Sequence, residues 1–197
     1  MNLPNKLTML RVLLVPVFIL VMTLNIGLSF PLVNIIAAFV FLITALTDMF
    51  DGKIARKYDL VTDFGKIMDP VADKFMVFSA LIVLISVDEF AYMRGILIWV
   101  TLVVIFRELF VTSMRMVVSE KASSANLAAN WLGKVKTVSQ IVFIMTALLE
   151  PVLFGWFLTF VSEYHILTYA ACAFMAVMTV WSGINYLAGY SKYISFK

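Results

Sequence analysis

The fold class is decided by one uncharged stretch, residues 12–47: VLLVPVFILVMTLNIGLSFPLVNIIAAFVFLITALT. Its 36 residues exceed the ~20 that a helix needs to cross a bilayer once, so the stretch predicts two membrane-spanning helices. Turn-forming residues separate the two helices and place the first span at residues 7–24. The second span is expected to start near position 31. These turn residues are Asn25, Gly27, Ser29 and Pro31.

The composition of the whole chain indicates a lipid bilayer as its solvent. Hydrophobic residues make up 63% of the 197 residues and charged residues 14%, whereas soluble chains are about half apolar and a quarter charged. One cysteine, Cys172, and one histidine, His165, exclude an internal disulfide and a zinc cage. His165 is expected in a solvated loop. The net charge of +3 is explained by basic residues that flank membrane spans, so no nucleic-acid partner is expected.

Further uncharged runs predict the remaining helices. They cover residues 75–87, 95–106, 137–149 and 166–191. The first three runs contain only 12 or 13 residues, so flanking charged residues must lie inside these helices at membrane depth. The sequence therefore predicts an all-α integral membrane protein with six transmembrane helices in a single domain, residues 1–197. Residues 151–164 are expected to form an interfacial segment.

The distribution of lysine and arginine predicts the orientation in the membrane. Only one of these 15 residues, Arg94, falls in the first, third and fifth connections between spans. The others lie at both ends of the chain, in the second and fourth connections, and at the helix ends beside them. Because basic residues are enriched on the cytoplasmic side, both termini are expected in the cytoplasm. The chain is expected to be a multi-pass protein of the cell membrane with its active site at the cytoplasmic face.

Aspartates are concentrated in one cytoplasmic stretch, since six of the 12 carboxylates lie within residues 48–73. Asp48 and Asp51 are three residues apart, and Asp69 and Asp73 are four apart, so each pair shares a face if the helices continue through it. Converging carboxylates repel one another unless cations neutralise them, and oxygen-only ligands favour Mg²⁺ or Mn²⁺. The pattern predicts a divalent metal site; an ion or proton pathway is the alternative for acids in membrane helices.

Small residues and an arginine alternate with these acids. Gly52 and Ala55 clear one patch of helix, so that a bulky group can lie against the backbone. Arg56 follows and offers a planar fork for phosphate. Together with a metal at a membrane surface, these residues predict a site for a diphosphate nucleotide. Between the two pairs, Asp59 and Asp63 are interpreted as residues of a solvated loop.

A polar face near the start of the first helix is a second candidate for nucleotide contact. Asn5, Thr8 and Arg11 are spaced by three residues and therefore lie on one side of a helix. Two interpretations of Asn5 and Thr8 stay open, namely structural capping and contact with the nucleotide or its phosphate.

The residues around the acids also resemble a known family. The stretch TDMFDGKIARKYDLVTDFGKIMDPVADK, residues 47–74, contains DxxDGxxAR, eight residues and then GxxxDxxxD, and it is similar at every fixed position to the signature of the CDP-alcohol phosphatidyltransferases. The resemblance implies a homodimeric enzyme with a two-metal site, in which the hydroxyl of a small alcohol displaces CMP from a CDP-linked lipid. It also implies that Asp73 is both a metal ligand and the base, and that Gly65 belongs to the nucleotide site. Direct displacement is expected because no Ser, Cys or His is placed as an obvious nucleophile.

Three further stretches are similar to the branch of this family that joins CDP-diacylglycerol to sn-glycerol 3-phosphate and makes phosphatidylglycerophosphate: NLPNKLTMLRVLLVP, RELFVTSMR and GKVKT, at residues 2–16, 107–115 and 133–137. A dianionic acceptor needs several donors. The basic residues left after the signature are expected to bind its phosphate, namely Arg107, Arg115, Lys134 and Lys136.

Other interpretations of these residues remain open. Arg107 and Glu108 interrupt an apolar helix, so each must lie inside the bundle beside a partner, and a purely structural pairing is the alternative to phosphate binding. The rival functions are transfer to another acceptor (inositol phosphate, serine or phosphatidylglycerol) and ion-coupled transport.

Overall fold

The computed structural model describes residues 3–24, 27–57, 62–121, 131–154 and 159–190. In these ranges the regular structure is helical and consists of seven α-helices and one 3-10 helix. The bounds are α1 Leu3–Thr23, α2 Phe30–Lys57, α3 Asp63–Ser86, α4 Arg94–Lys121, α5 Trp131–Leu153, α6 Thr159–Tyr164 and α7 Ile166–Tyr190, with the 3-10 helix at Asp88–Met93.

Within the described ranges, five segments are long and apolar enough to cross a membrane, which makes the chain a multi-pass membrane protein. They are Asn5–Thr23, Phe30–Thr47, Asp88–Met116, Trp131–Leu153 and Ile166–Gly189. α3 has 24 residues and so has the length of a span, but it carries Asp69, Asp73 and Lys74 in its first half. The sixth span expected from the sequence corresponds to this charged helix.

The helices pack around one apolar core. α1 contacts α2 and α3, α5 contacts α7 and α2, and α4 contacts α7 and α3. Phe41, Leu84 and Phe143 are almost fully buried in this core. Large apolar side chains also cover the outside, as Trp99 shows with 72% exposure. Such a surface is unfavourable in water and is matched by the acyl chains of a bilayer.

The predicted turn and the start of the second helix agree with the structure. Gly27 has a φ of +72°, a conformation that glycine adopts easily. α2 begins at Phe30, one residue before the predicted start, and continues to Lys57. Asp48 and Asp51 therefore lie on a continuous helix, as the interpretation of their spacing requires.

One of the residues expected in a connection lies in a helix instead. Asp63 is the first residue of α3 and not part of a loop, because the hydroxyl of Thr62 accepts the backbone N–H of Gly65 at 3.1 Å and caps the helix. Asp59 lies outside the described residues. The expected interfacial segment, residues 151–164, contains the end of α5 and the whole of α6.

A polar cluster lies where α5 ends and α7 begins. Glu150 is 1% exposed and accepts hydrogen bonds from the backbone N–H groups of Leu167 and Thr168 at 3.0 and 2.7 Å, and from the Thr168 hydroxyl. Its negative charge suits the unpaired N–H groups at a helix start. His165 lies in the turn between α6 and α7, as expected of a loop residue, but it is half-buried and stacks on Tyr92 with ring centroids 3.7 Å apart instead of being fully solvated.

Candidate active site

The first turns of α3 carry two of the four predicted metal ligands. Asp69 and Asp73 lie one helical turn apart, and both are half-buried. The hydroxyl of Thr8 on α1 donates to Oδ1 of Asp69 at 2.7 Å. Because this bond joins two helices, it fixes the rotation of the carboxylate relative to the bundle. Thr8, a nucleotide candidate in the sequence, thus contacts a predicted metal ligand.

Asn5 and Gly65 belong to the same contact between α1 and α3. The hydroxyl of Thr62 donates to Oδ1 of Asn5 at 2.8 Å while it accepts the N–H of Gly65. A Cβ at position 65 would lie 3.4 Å from Oδ1 of Asn5 and 3.3 Å from the Thr62 hydroxyl, so glycine here permits the close approach of the two helices. Asn5 lies inside α1 and therefore supports the cap of α3 instead of capping its own helix.

The other predicted nucleotide and metal residues lie on the last turns of α2. The backbone there is helical, so Asp48 and Asp51, and likewise Gly52 and Ala55, keep the spacing of a shared face. Their side chains and that of Arg56 lie outside the described part of the chain. Among the side chains that are described, no three His, Cys, Asp or Glu converge on a possible metal position. The two described aspartates of α3 supply oxygen ligands, which fit Mg²⁺ or Mn²⁺.

A cavity of about 550 Å³ opens beside Asp73, and residues of α2, α3, α4, α5 and α7 line it. This volume is in the range of small-molecule sites. The structure brings Asp73 together in this cavity with all four residues that the sequence assigns to the acceptor phosphate. The charged residues of the lining are Asp73, Lys74, Arg107, Glu108, Arg115, Lys134 and Lys136.

Two of the four bases are buried and share one carboxylate. Arg107 Nη1 lies 3.0 Å from Oε1 of Glu108, and Lys136 Nζ contacts the same oxygen. Arg107 Nη2 also donates to the hydroxyl of Ser182 on α7 at 2.9 Å. The sequence prediction that Arg107 and Glu108 lie beside partners inside the bundle agrees with these contacts. One carboxylate therefore faces two basic side chains.

The other two bases are at the exposed side of the cavity. Lys134 and Arg115 are both exposed and both line it. Arg115 Nη2 lies 3.5 Å from the hydroxyl of Tyr186. The site therefore has cations at two depths, buried on one side and solvent-accessible on the other.

Comparison with known proteins agrees with the signature on α2 and α3. Residues 1–182 match the CDP-alcohol phosphatidyltransferase family. The chain belongs to this family. A Bacillus subtilis relative named CDP-diacylglycerol–glycerol-3-phosphate 3-phosphatidyltransferase is 40% identical over 157 residues, which cover 76% of this chain and 77% of the relative. Relatives of the same name from Escherichia coli K12 and Salmonella typhimurium LT2 are each 35% identical over 193 residues, covering 95% of this chain and 93% of the relative.

The resemblance expected from residues 47–74 is thereby confirmed. As a CDP-alcohol phosphatidyltransferase, the chain is a membrane transferase whose family membership implies metal-dependent catalysis. The two helices that carry the family signature, α2 and α3, are also the helices that bring residues to one wall of the cavity.

The part of this phosphatidyltransferase that sequence reasoning missed is the contribution of α7. Ser182 and Tyr186 are buried, and their hydroxyl groups contact Arg107 and Arg115, respectively. They are four residues apart in a largely apolar helix, so they share one face. That spacing is the sequence pattern that could have indicated them.

Proposed function

We propose that this chain transfers the phosphatidyl group from CDP-diacylglycerol to sn-glycerol 3-phosphate, which gives phosphatidylglycerophosphate and CMP. The single observation that carries the proposal is the cavity that holds Asp73 together with the four basic residues assigned to the acceptor's phosphate. The names of the relatives, at 35 to 40% identity, agree with this activity. An uncharged acceptor alcohol would have no use for so many cations beside the reacting centre.

Two divalent ions, held by Asp48, Asp51, Asp69 and Asp73, would neutralise charge on the pyrophosphate and on the attacking and leaving oxygens. Asp73 accepts the proton of the acceptor's free primary hydroxyl. The hydroxyl oxygen then bonds to the phosphorus of the phosphatidyl group. The bond from that phosphorus to the bridging oxygen breaks, and CMP leaves with the electron pair. Gly52, Ala55 and Arg56 are proposed to bind the nucleotide. Asn5, Thr8 and Gly65 are proposed to belong to the same nucleotide site.

The acceptor's phosphate is proposed to bind at the four basic residues that α4 and α5 bring to the cavity. The described hydrogen bonds of Arg107 use Nη1 and Nη2 once each, and its Nε is buried with no hydrogen-bond partner among the described residues. Buried donors of this kind are costly unless they meet an acceptor. Arginine offers five donors and lysine three, so Arg107 and Lys136 can hold Glu108 and a phosphate at once.

The arrangement in the membrane is also proposed. α3 is the sixth span, with its charged first half turned into the site. Both termini and the site face the cytoplasm, and the chain forms one domain over residues 1–197. Single cysteines introduced by Lys6→Cys and Asp88→Cys test this in sealed vesicles. An impermeant thiol reagent should reach only the Asp88→Cys variant from the outer side, and labelling of both variants from one side would contradict this arrangement.

A homodimer, expected from the family resemblance, is tested by the mass of the protein in detergent.

The function is tested by CMP release from CDP-diacylglycerol in detergent with a panel of acceptors. We expect Mg²⁺- or Mn²⁺-dependent CMP release with sn-glycerol 3-phosphate, and little with inositol phosphate, serine or phosphatidylglycerol. Faster release with one of those acceptors would assign the chain to another branch of the family. No CMP release with any acceptor would contradict transferase activity.

A further inference from the structure

Tyr186 on α7 contacts two arginines that line the cavity. Its side chain is buried and lines the cavity. The guanidinium carbon of Arg107 lies 5.4 Å from the centre of its ring, and that of Arg115 lies 5.8 Å away. Both distances are within the range of cation–π contacts. A single aromatic ring therefore touches one buried and one exposed base of the proposed phosphate site.

The two arginines need such a contact because they repel each other. Both come from α4, eight residues apart, and both face the same cavity. Glu108 is paired with Arg107 and Lys136, so its charge is already shared by two cations. The negative face of an aromatic ring attracts a guanidinium without adding a full negative charge that would repel a phosphate.

The hydroxyl of Tyr186 has a tightly defined position. It lies 3.5 Å from Nη2 of Arg115. A Cβ built at Gly133, the first residue of the GKVKT stretch on α5, would lie 3.0 Å from this hydroxyl oxygen but 3.8 Å or more from the nearest ring carbons. The absence of a side chain at position 133 thus leaves room for the hydroxyl, while the ring alone would fit beside an alanine.

We propose that Tyr186 is a positioning residue of the acceptor site, which holds the guanidinium groups of Arg107 and Arg115 toward the acceptor's phosphate, and that Gly133 admits its hydroxyl. The inference rests on the proposed function, because it takes the ligand of these bases to be the phosphate of sn-glycerol 3-phosphate. It assigns a specificity role to α7, a helix outside the family signature.

The test compares KM for sn-glycerol 3-phosphate with KM for CDP-diacylglycerol in four variants. Tyr186→Leu removes both cation–π contacts and should raise the KM for glycerol 3-phosphate by about thirtyfold. Tyr186→Phe keeps the ring and should raise it by no more than about threefold. The KM for CDP-diacylglycerol should stay unchanged in both.

The third and fourth variants keep the inference testable if Tyr186→Leu does not fold. Gly133→Ala displaces the hydroxyl and should raise the KM for glycerol 3-phosphate by about tenfold. The double variant Gly133→Ala with Tyr186→Phe should return to the value of Tyr186→Phe alone, because the oxygen that meets the new methyl group is gone. A purely structural role would not produce this rescue in one KM only.

Tyr169→Leu on the same helix is the matched control. The Tyr169 hydroxyl donates a hydrogen bond to the carbonyl oxygen of Tyr92 at 3.0 Å, and Tyr169 does not line the cavity. This replacement should lower thermal stability and leave both KM values unchanged. Equal rises of both KM values in Tyr186→Leu, or additive effects in the double variant, would overturn the inference while Arg107→Gln could still support the function. If the wild type releases no CMP with glycerol 3-phosphate, the proposed function fails and this inference fails with it.

Discussion

Two buried glutamates, Glu108 in the middle of α4 and Glu150 near the end of α5, have opposite surroundings. Glu150 is 1% exposed, and its described donors are backbone N–H groups and a hydroxyl at the start of α7. Glu108 is 8% exposed, and its described partners are the cations Arg107 and Lys136. Lys136 and Glu150 lie on the same helix, 14 residues apart, which is about 21 Å along its axis.

The difference separates a carboxylate that stabilises the fold from one that prepares a binding site. The described donors to Glu150 are uncharged, so they hold its carboxylate without bringing cations that a ligand could use. The cations beside Glu108 line a cavity and have further N–H groups to offer. Buried charge in a membrane protein therefore indicates function where its partners face open space.

The largest effect on activity should follow from removing the negative charge of an aspartate in the proposed metal site. Asp73→Asn should lower kcat by about a hundredfold to ten-thousandfold, since it removes the base and a predicted metal ligand. Asp69→Asn and treatment with a chelator should also abolish activity, and the chelator effect should reverse when Mg²⁺ is restored. Activity is measured as CMP release by purified, folded protein. Asp88→Asn, an exposed acid beside Arg94, is the control and should keep full activity; full activity of Asp69→Asn would contradict the metal site.

An intermediate effect is expected from replacing the basic residues of the proposed phosphate site. Arg107→Gln and Lys134→Gln should each raise the KM for glycerol 3-phosphate by about tenfold to a hundredfold, because each loses a charge-assisted bond of about 1.5–3 kcal/mol. The KM for CDP-diacylglycerol should hardly change. Arg94→Gln, at the other end of α4, serves as the matched control. If both KM values rise together, the bases are structural, and the metal-dependent transferase would remain without this acceptor site.

The smallest effect on transfer should come from replacing the two buried glutamates. These variants compare the surroundings of Glu108 and Glu150 directly. Glu108→Gln leaves two buried cations uncompensated and should destabilise the protein by about 3–5 kcal/mol, as breaking a buried ion pair does. It should also raise the KM for glycerol 3-phosphate, because Arg107 and Lys136 lose their common anchor. Glu150→Gln should lower stability by about 1–3 kcal/mol and leave both KM values unchanged. Thermal unfolding in detergent and initial rates measure the two effects; a changed KM in Glu150→Gln would contradict the separation.

Sequence reasoning succeeded where the period of a helix decides the outcome. The uncharged stretch before Asp48 predicted two helices and their turn, and the spacing of the aspartates predicted helical pairs. The cost of charge in a membrane also indicated that Arg107 and Glu108 lie inside the bundle. These predictions need only local geometry and the properties of the solvent.

The remaining features depend on contacts between distant residues. The bond from Thr8 to Asp69 joins residues 61 positions apart, and that from Arg107 to Ser182 joins residues 75 apart. His165 lies in a turn as expected, but only the stacking on Tyr92, 73 residues away in the chain, shows that its ring is half-buried. Tyr186 was missed for the same reason, since only the packing of α7 against α4 shows which aromatic residue meets the arginines.

The most direct test of the central claim is to locate the acceptor in the cavity without measuring catalysis. Thr137 lines the cavity and is half-buried, so a Thr137→Cys variant places a thiol there, while Cys172 is buried elsewhere. The rate of its labelling by a small thiol reagent is measured with increasing sn-glycerol 3-phosphate. We predict that glycerol 3-phosphate slows labelling, that glycerol does not, and that labelling of the Asp88→Cys variant is unaffected. An unchanged rate for Thr137→Cys at saturating glycerol 3-phosphate would contradict the claim that this cavity binds the acceptor.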